Sequence, residues 1–348
     1  MTAPDDPPPA ASRALTVKDI ARVAEVSPMT VSRVLAGGKN VRPAVREHVE
    51  RVVSELGYHR NENARSLRPG QRSGLIGVII TNIGNPYYAE MVQGVEQVVS
   101  RTGRRILVGA TNEDPQLEGQ LLSDFVGRQV EGLVVVPVGQ DPAVFAPERL
   151  NRVPLVLASR TIDAANADAV LISDIAGAHD ATRILLTEGH RRIAFLGNKI
   201  TVSTGQRRLA GFRAAHDEQG VEPADGLIVL GLQDAASAQS AMDELLDGDD
   251  APTAVFAANN RISTGVIRAL SRRADRARAE GRDPEAVRLF AFDSFEFADM
   301  APVPLSVIDH DPRELGRTAA QLLLSRLDGS AEGQEPRLIE LPVTLVDH

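Results

Sequence analysis

Residues 15–35 read LTVKDIARVAEVSPMTVSRVL, and the caps, turns and apolar spacing within them decide the plan of the N-terminal region. Thr16 can cap a short helix through residues 18–23, with Ile20 and Val23 on its inner face. Residues 24–26 make a tight turn. Ser27 is a strong N-cap, and Pro28 sits at the first helical position, where its missing N–H costs nothing. A second helix over 28–35 buries Val31 and Leu35, four apart, and carries Met29 and Arg33, also four apart, on its opposite face. Gly37 and Gly38 end it. A third helix over 43–56 places Val45, Val49, Val52, Val53 and Leu56 at helical spacing, and Gly57 stops it. Three short helices with a three-residue turn between the first two is the helix-turn-helix plan.

Such a second helix fits the major groove of DNA and enters it by its N-terminal end. Pro28, Met29 and Arg33 then face base edges, and Arg33 is the base reader, because guanidinium can bond guanine with two donors. Thr30, Ser32 and Arg42 suit phosphate oxygens, which position the head without reading sequence. Thr16 and Ser27, at the two helix starts, join the DNA-facing set. Helix pattern alone leaves open a three-helix bundle that binds no nucleic acid.

Charge bears on that choice. The whole chain of 348 residues has a formal net charge of −9. Residues 13–72 carry a local +6 and residues 73–348 a local −13. A basic segment on an acidic body suits an anionic partner at one end. The length suits two or three compact units, and 43% hydrophobic with 24% charged residues marks a globular chain. With no cysteine there are no disulfides or thiolate metal sites. No apolar run approaches the ~20 residues of a membrane helix. Residues 1–14, with Asp5, Asp6 and three consecutive prolines, make no signal peptide and read as a disordered tail. The cytoplasm is the expected compartment.

The run 15–27, followed by TVSRVL over residues 30–35, resembles the head of the LacI/GalR family of bacterial transcriptional regulators. It departs at Arg42, Ala44 and Val45, where the family usually begins its third helix with Ser and carries Thr nearby. The resemblance extends into residues 61–67, NENARSL, where it implies a hinge helix in the minor groove. Leu67 would be the apolar wedge between base pairs, Ala64 would pack on the partner's hinge, and Asn61 would begin the DNA-contacting segment. Seven helix-permissive residues are too few for an isolated helix, so this one is expected to fold only on DNA. A plain linker is the alternative reading. The domain plan is therefore a tail over 1–14, a helix-turn-helix domain over 15–60, a hinge and linker over 61–73, and a two-lobed effector-binding and dimerisation domain over 74–348.

Beyond Gly74 apolar runs alternate with helical stretches. Strands are expected over 75–81, 105–110, 132–136, 155–158 and 169–173, then over 193–197, 227–230, 254–258 and 289–293. Helices are expected over 86–101, 115–128, 177–188, 205–219, 235–246 and 263–278. This alternation means parallel sheets with helices on both faces, and two series mean two lobes. The resemblance implies the α/β periplasmic-binding-protein-like fold. It also implies three crossings between lobes, near 158–173, 293–306 and 312–327, with the last helix and strand in the second lobe.

A cleft between lobes is where strand ends deliver side chains to a ligand. Asn85-Pro86-Tyr87-Tyr88 matches the family's Asn-Pro-aromatic-aromatic motif, and a tyrosine can stack on a sugar face. Arg208, within RLAGF at 208–212, matches the family's cleft arginine and can grip oxygens as a fork. Asn259 and Asp293 match positions that bond the effector, with Asn112, Arg160 and His310 as further candidates. Three departures remove family carboxylates: Ser159-Arg160, Asn259-Asn260 and Asp293-Ser294 stand where Asp-Arg, Asn-Asp and Asp-Asp are usual. Their loss is expected to lower repulsion toward an anionic sugar derivative.

Neither a phosphate-binding GxxxxGK[ST] nor a nucleophile-elbow GxSxG is present, and His179, His190, His216 and His310 lack the spacing of a zinc helix. No enzyme, catalytic residue, metal or cofactor is expected. The reading is a homodimeric repressor that binds a roughly palindromic operator, with an effector in the cleft changing the lobe angle. The alternatives are a regulator of the same build without a small-molecule effector, and a solute-binding protein.

Overall fold

The computed structural model describes residues 15–35, 37–38, 41–58, 73–296, 298–331 and 333–348. The chain divides into two compact units, Met1–Gln71 and Arg72–His348. The expected tail over 1–14 and hinge residues Asn61, Ala64 and Leu67 lie outside the described residues.

The first unit holds α1 (Val17–Val23), α2 (Pro28–Leu35) and α3 (Pro43–Glu55). Ile20, Ala21, Ala24, Val31, Val34, Val49 and Val52 are its buried centre. Two assignments change. Val23, expected inside, is half exposed, because the chain leaves the helix at Ala24 and that residue closes the inner face. Val34, rather than Leu35, is the buried partner of Val31, so the inner stripe of α2 steps by three. The turn between α1 and α2 places Glu25 at φ +50°, and the Val26 amide reaches back to the Ala21 carbonyl at 3.0 Å. Gly37, at φ +70°, ends α2: its amide bonds Val34 O and that of Gly38 bonds Arg33 O, both at 3.0 Å. These are the paired bonds of a Schellman cap.

The second unit contains two six-stranded sheets. The first lobe has β1 (Leu75–Ile80), β2 (Arg105–Ala110), β3 (Gly132–Val135), β4 (Leu155–Ala158), β5 (Asp168–Ile172) and β11 (Leu338–Leu341), in the order β11-β5-β4-β3-β1-β2 and parallel throughout. The second lobe has β6 (Ile193–Leu196), β7 (Ile228–Val229), β8 (Ala254–Ala257), β9 (Arg288–Phe292), β10 (Leu305–Asp309) and β12 (Thr344–Asp347), in the order β12-β10-β9-β8-β6-β7. Only β12 runs antiparallel to its neighbour. Central strands such as LIGVII, GLVV and AVFA are almost wholly buried. That is why they read as unbroken apolar runs.

Among the described residues seven α-helices accompany the sheets: α4 (Pro86–Val99), α5 (Pro115–Gly127), α6 (Asp174–Thr187), α7 (Ser203–Gln219), α8 (Ala235–Asp247), α9 (Asn260–Ala279) and α10 (Pro312–Leu327). The helices expected to begin at 177, 205 and 263 begin two or three residues earlier, at Asp174, Ser203 and Asn260. The strands β10 and β11 were not anticipated, while β12 is the expected last strand, in the second lobe. Paired helices approach closely where a glycine allows it. A Cβ on Gly94 would lie 2.1 Å from Arg313 O, and one on Gly316 would lie 2.0 Å from Met91 O. The α4–α10 contact therefore admits glycine alone on both sides.

The first crossing falls at the end of the implied 158–173 stretch, and the other two differ from the implied ones. The chain passes from β5 to α6 at Ser173, returns between β10 and α10 at 310–311, and passes again between β11 and β12 at 342–343. Residues 293–306 stay in the second lobe, since β9 and β10 are neighbours in one sheet. The helix α10 packs on β3, β4 and β5 and so belongs to the first lobe, while the final strand β12 belongs to the second. One continuous core runs from Ile76 and Val134 of the first lobe to Phe195 and Phe292 of the second.

Candidate nucleic-acid face and effector cleft

On the head, the two cap residues spend their hydroxyls locally. Thr16 Oγ1 accepts from the Asp19 amide at 3.4 Å, and Asp19 Oδ2 accepts from the Thr16 amide at 2.9 Å, which is a capping box. Ser27 Oγ accepts from the Thr30 amide at 3.1 Å and lies 2.9 Å from Thr30 Oγ1. Pro28, Met29, Arg33 and Arg42 are exposed, with Met29 showing 63% of its surface, while Thr30 and Ser32 are half buried. Arg42 starts α3 without a side-chain capping bond. The head thus presents an apolar and cationic face at the start of α2, with its hydroxyls partly committed to holding the helix.

In the body, a cavity of about 90 Å³ lies where the C-terminal strand ends of both lobes converge. Four non-glycine residues at these ends are left-handed: Asn112 (φ +50°), Glu113 (φ +62°), Ser159 (φ +63°) and Asp293 (φ +65°). Each such residue costs roughly 1–3 kcal/mol, and strain of this kind gathers at ligand sites.

The second-lobe wall is built on Arg208 of α7. Its Nε donates to Asp174 Oδ1 at 2.8 Å, its Nη1 and Nη2 donate to Asp293 at 3.2 and 3.1 Å, and Nη1 also donates to Ala258 O. Its Cζ lies 3.6 Å from the Phe292 ring centroid. Burial acts against its charge, but Asp293 and Asp174 hold it protonated above the ordinary arginine range. Asp174 is fully buried, and burial pushes its carboxyl up to about 6.

The first-lobe wall is built on Arg160, which forks onto Glu113 with two bonds of 2.8 Å and approaches Tyr88 Oη at 3.5 Å. Burial raises Glu113, yet the bonds from Arg160 hold its carboxyl below the ordinary value. Tyr87 donates its hydroxyl to Ser159 Oγ at 3.1 Å and stands edge-on to Tyr88 at 5.0 Å. Burial holds that phenol protonated far above its usual range.

Of the expected effector residues, Tyr87, Tyr88, Arg160, Arg208, Asn259 and Asp293 line this one cavity. Asn259 caps α9, accepting from Arg261 N at 3.0 Å and Ile262 N at 2.9 Å, and donates to Asn198 at 3.0 Å. Asn112 is exposed and does not line the cavity; its neighbour Glu113 does. His310 faces a larger outer chamber of about 930 Å³ with Asn85, Tyr87 and Asn260. Its ring nitrogens are both buried without a partner, and burial lowers its pKa.

Sequence reasoning missed Glu113, Asp174 and Asn198. The signal for the first two was the one that found Asp293, a carboxylate just beyond a strand. Glu113 adds a carboxylate to that of Asp293 in a cavity wall that also holds Arg160, Arg208 and Arg261, while Asp174 is buried behind Arg208 and does not line it.

A helix-turn-helix unit beside a two-lobed parallel α/β body with a polar interlobe cavity defines the class of DNA-binding, ligand-sensing regulators. Comparison with known proteins agrees. Residues 16–61 match the model "Bacterial regulatory proteins, lacI family", and residues 73–348 match "Periplasmic binding proteins and sugar binding domain of LacI family". The ribose operon repressor of Haemophilus influenzae is 31% identical over 93% of this chain and 96% of its own. The lac repressor dimer bound to operator and the anti-inducer ONPF superimposes with a TM-score of 0.79 at 25% identity, covering 96% of this chain and 98% of that one. The transcriptional regulator CelR in complex with cellobiose gives 0.68 at 30% identity, covering 96% and 99%. The chain belongs to the LacI family of bacterial regulatory proteins. Among the described residues no helix is long and apolar enough to cross a membrane, and no group of His, Cys, Asp and Glu side chains could hold a metal ion.

Proposed function

We propose that this chain is a sequence-specific, homodimeric transcriptional repressor of the cytoplasm, without catalytic activity, whose operator affinity is set by a neutral monosaccharide-sized polyol held between the lobes. The observation that carries this reading is the 90 Å³ cavity walled by the Arg208–Asp293 and Arg160–Glu113 forks. Paired guanidinium and carboxylate groups offer donors and acceptors together, which is what vicinal hydroxyls require. The cavity is small and polar on both walls, which suits a compact polyol. Tyr87 and Tyr88 supply the apolar edge against which a ring packs.

In this reading Arg33 and Met29 read base edges, with Pro28 beside them. Arg42, Thr30 and Ser32 contact phosphates, while Thr16 and Ser27 hold the helix starts against the duplex. Asn61, Ala64 and Leu67 form the hinge, with Leu67 as wedge, within the domain plan 1–14, 15–60, 61–73 and 74–348. Tyr87, Tyr88, Arg160, Arg208, Asn259 and Asp293 bind the effector, with Asn112 and His310 at its margins. The ribose-repressor and cellobiose-regulator relatives support a carbohydrate.

The test is selection of duplexes from a random library by the full chain, followed by release assays with a panel of neutral and phosphorylated monosaccharides. Recovery of a palindromic consensus, with release or tightening by a neutral sugar, is expected. No salt-sensitive attraction to any duplex overturns the regulator, and response to phosphorylated sugars alone overturns the neutral ligand.

A further inference from the structure

The two arginines Arg207 and Arg208 are neighbours on α7 and share one carboxylate. Asp174 Oδ1 takes Arg208 Nε at 2.8 Å, while Asp174 Oδ2 faces Arg207 Nε at 3.4 Å. From there Arg207 Nη2 reaches Glu340 on β11, in the other lobe. Asp174 opens α6 immediately after the first crossing, and Glu340 stands just before the last one. The same two crossings are tied by Ser173, whose amide and hydroxyl both donate to Leu341 O, at 2.9 and 3.1 Å. A Cβ on Gly211 would lie 2.2 Å from Ile175 O, so glycine there lets α7 press against the first turn of α6 and keeps both arginines in reach of Asp174.

We infer that Asp174 is a positioning residue that couples the ligand-facing Arg208 to the crossings at Ser173 and 342–343, through Arg207 and Glu340. Two neighbouring cations cannot both keep a fully buried carboxylate if one is drawn away. When Arg208 moves toward a ligand or loses its grip, Asp174 turns toward Arg207, and Glu340 feels the change. The chain thereby links the cleft to segments whose geometry sets the angle between lobes. The inference rests on the reading of Arg208 as an effector contact, but the experiment reads the coupling without any ligand, so the two can fail separately.

The experiment is hydrogen–deuterium exchange of the full chain, read in peptides covering 168–177 and 338–346. Arg208→Lys, which keeps charge but loses the fork, raises exchange in 338–346 at least threefold. Asp174→Asn gives the same rise, and adding Arg208→Lys to it gives nothing more. Arg104→Lys, at the half-buried Arg104–Glu131 pair elsewhere in the first lobe, leaves both peptides unchanged. A rise spread over the whole body would mark Asp174 as merely structural, and an unchanged 338–346 in Arg208→Lys would end the proposal. Should Asp174→Asn fail to fold, thermal midpoints of Arg208→Lys, Glu340→Gln and their double variant decide. A double shift departing from the sum by about 2 °C or more is expected, and strict additivity overturns the coupling.

Discussion

Asn85 and Asn260 exchange two amide hydrogen bonds across the lobes, Asn260 Nδ2 donating to Asn85 Oδ1 at 2.9 Å and Asn85 Nδ2 donating to Asn260 Oδ1 at 3.4 Å. Asn85 also caps α4, and Asn260 is the first residue of α9, so the pair joins two helix starts from opposite lobes. It separates the inner cavity from the outer chamber, both of which it lines. Asn260→Ala removes both bonds, worth about 1–3 kcal/mol for a pair that closes buried surface. Small-angle scattering of the ligand-free chain is expected to show a larger radius of gyration, with no loss of helix by circular dichroism. An unchanged radius would show that the pair does not hold the lobes together.

Asp174 gives stability a pH signature. Its carboxyl is pushed up to about 6 by burial, with the arginines opposing, against an ordinary value near 3.9 when unfolded. The folded chain therefore binds more protons than the unfolded one between those values, and this group's contribution to stability rises as pH falls from 6 toward 4. The full burial cost applies above pH 6. Chemical denaturation across pH 4–8 is expected to show this step in the parent and its absence in Asp174→Asn.

Glu25 holds a left-handed backbone between α1 and α2, a conformation costing a β-carbon-bearing residue roughly 1–2 kcal/mol. Glycine relieves that cost and loses about 0.5–1 kcal/mol in chain entropy. Glu25→Gly is therefore expected to slow amide exchange at Val26 and Val31 by a factor of about two to five. Faster exchange would mean that the side chain contributes more than the turn loses.

Arg33 and Arg42 separate base reading from phosphate contact. Arg33→Ala should cost about 1–3 kcal/mol on the best duplex and flatten the preference at one base position. Arg42→Ala should weaken all duplexes alike and reduce the salt slope by about one. Titrations at several salt concentrations on matched and mismatched duplexes distinguish them; equal loss of preference in both would void the assignment.

The parts legible in the sequence were those whose pattern is local. Strands buried on both faces, such as Leu75–Ile80, announce themselves as apolar runs, and Thr16, Ser27, Gly37 and Pro86 punctuate the helices by short-range chemistry. The strands at one edge of each sheet show the converse. In β11 and β12 the residues are half or fully exposed and carry no burial pattern. They are strands because β5 and β10 lie beside them. The same holds in the cleft: the motif Asn85-Pro86-Tyr87-Tyr88 and Arg208 were found by spacing, but Glu113 and Asp174 were not. Asp174 lies 34 residues from the arginine it serves.

By itself, then, the amino-acid order determined the head, the alternation of strands and helices, and the polar residue types destined for strand ends, because backbone propensity and periodic burial act over a few neighbours. Only the tertiary structure decided where the chain passes between lobes, which lobe receives α10, and which carboxylate neutralises which arginine. Those outcomes depend on desolvation and on partners distant in sequence. A buried charge takes whichever counter-ion the fold brings within about 3 Å.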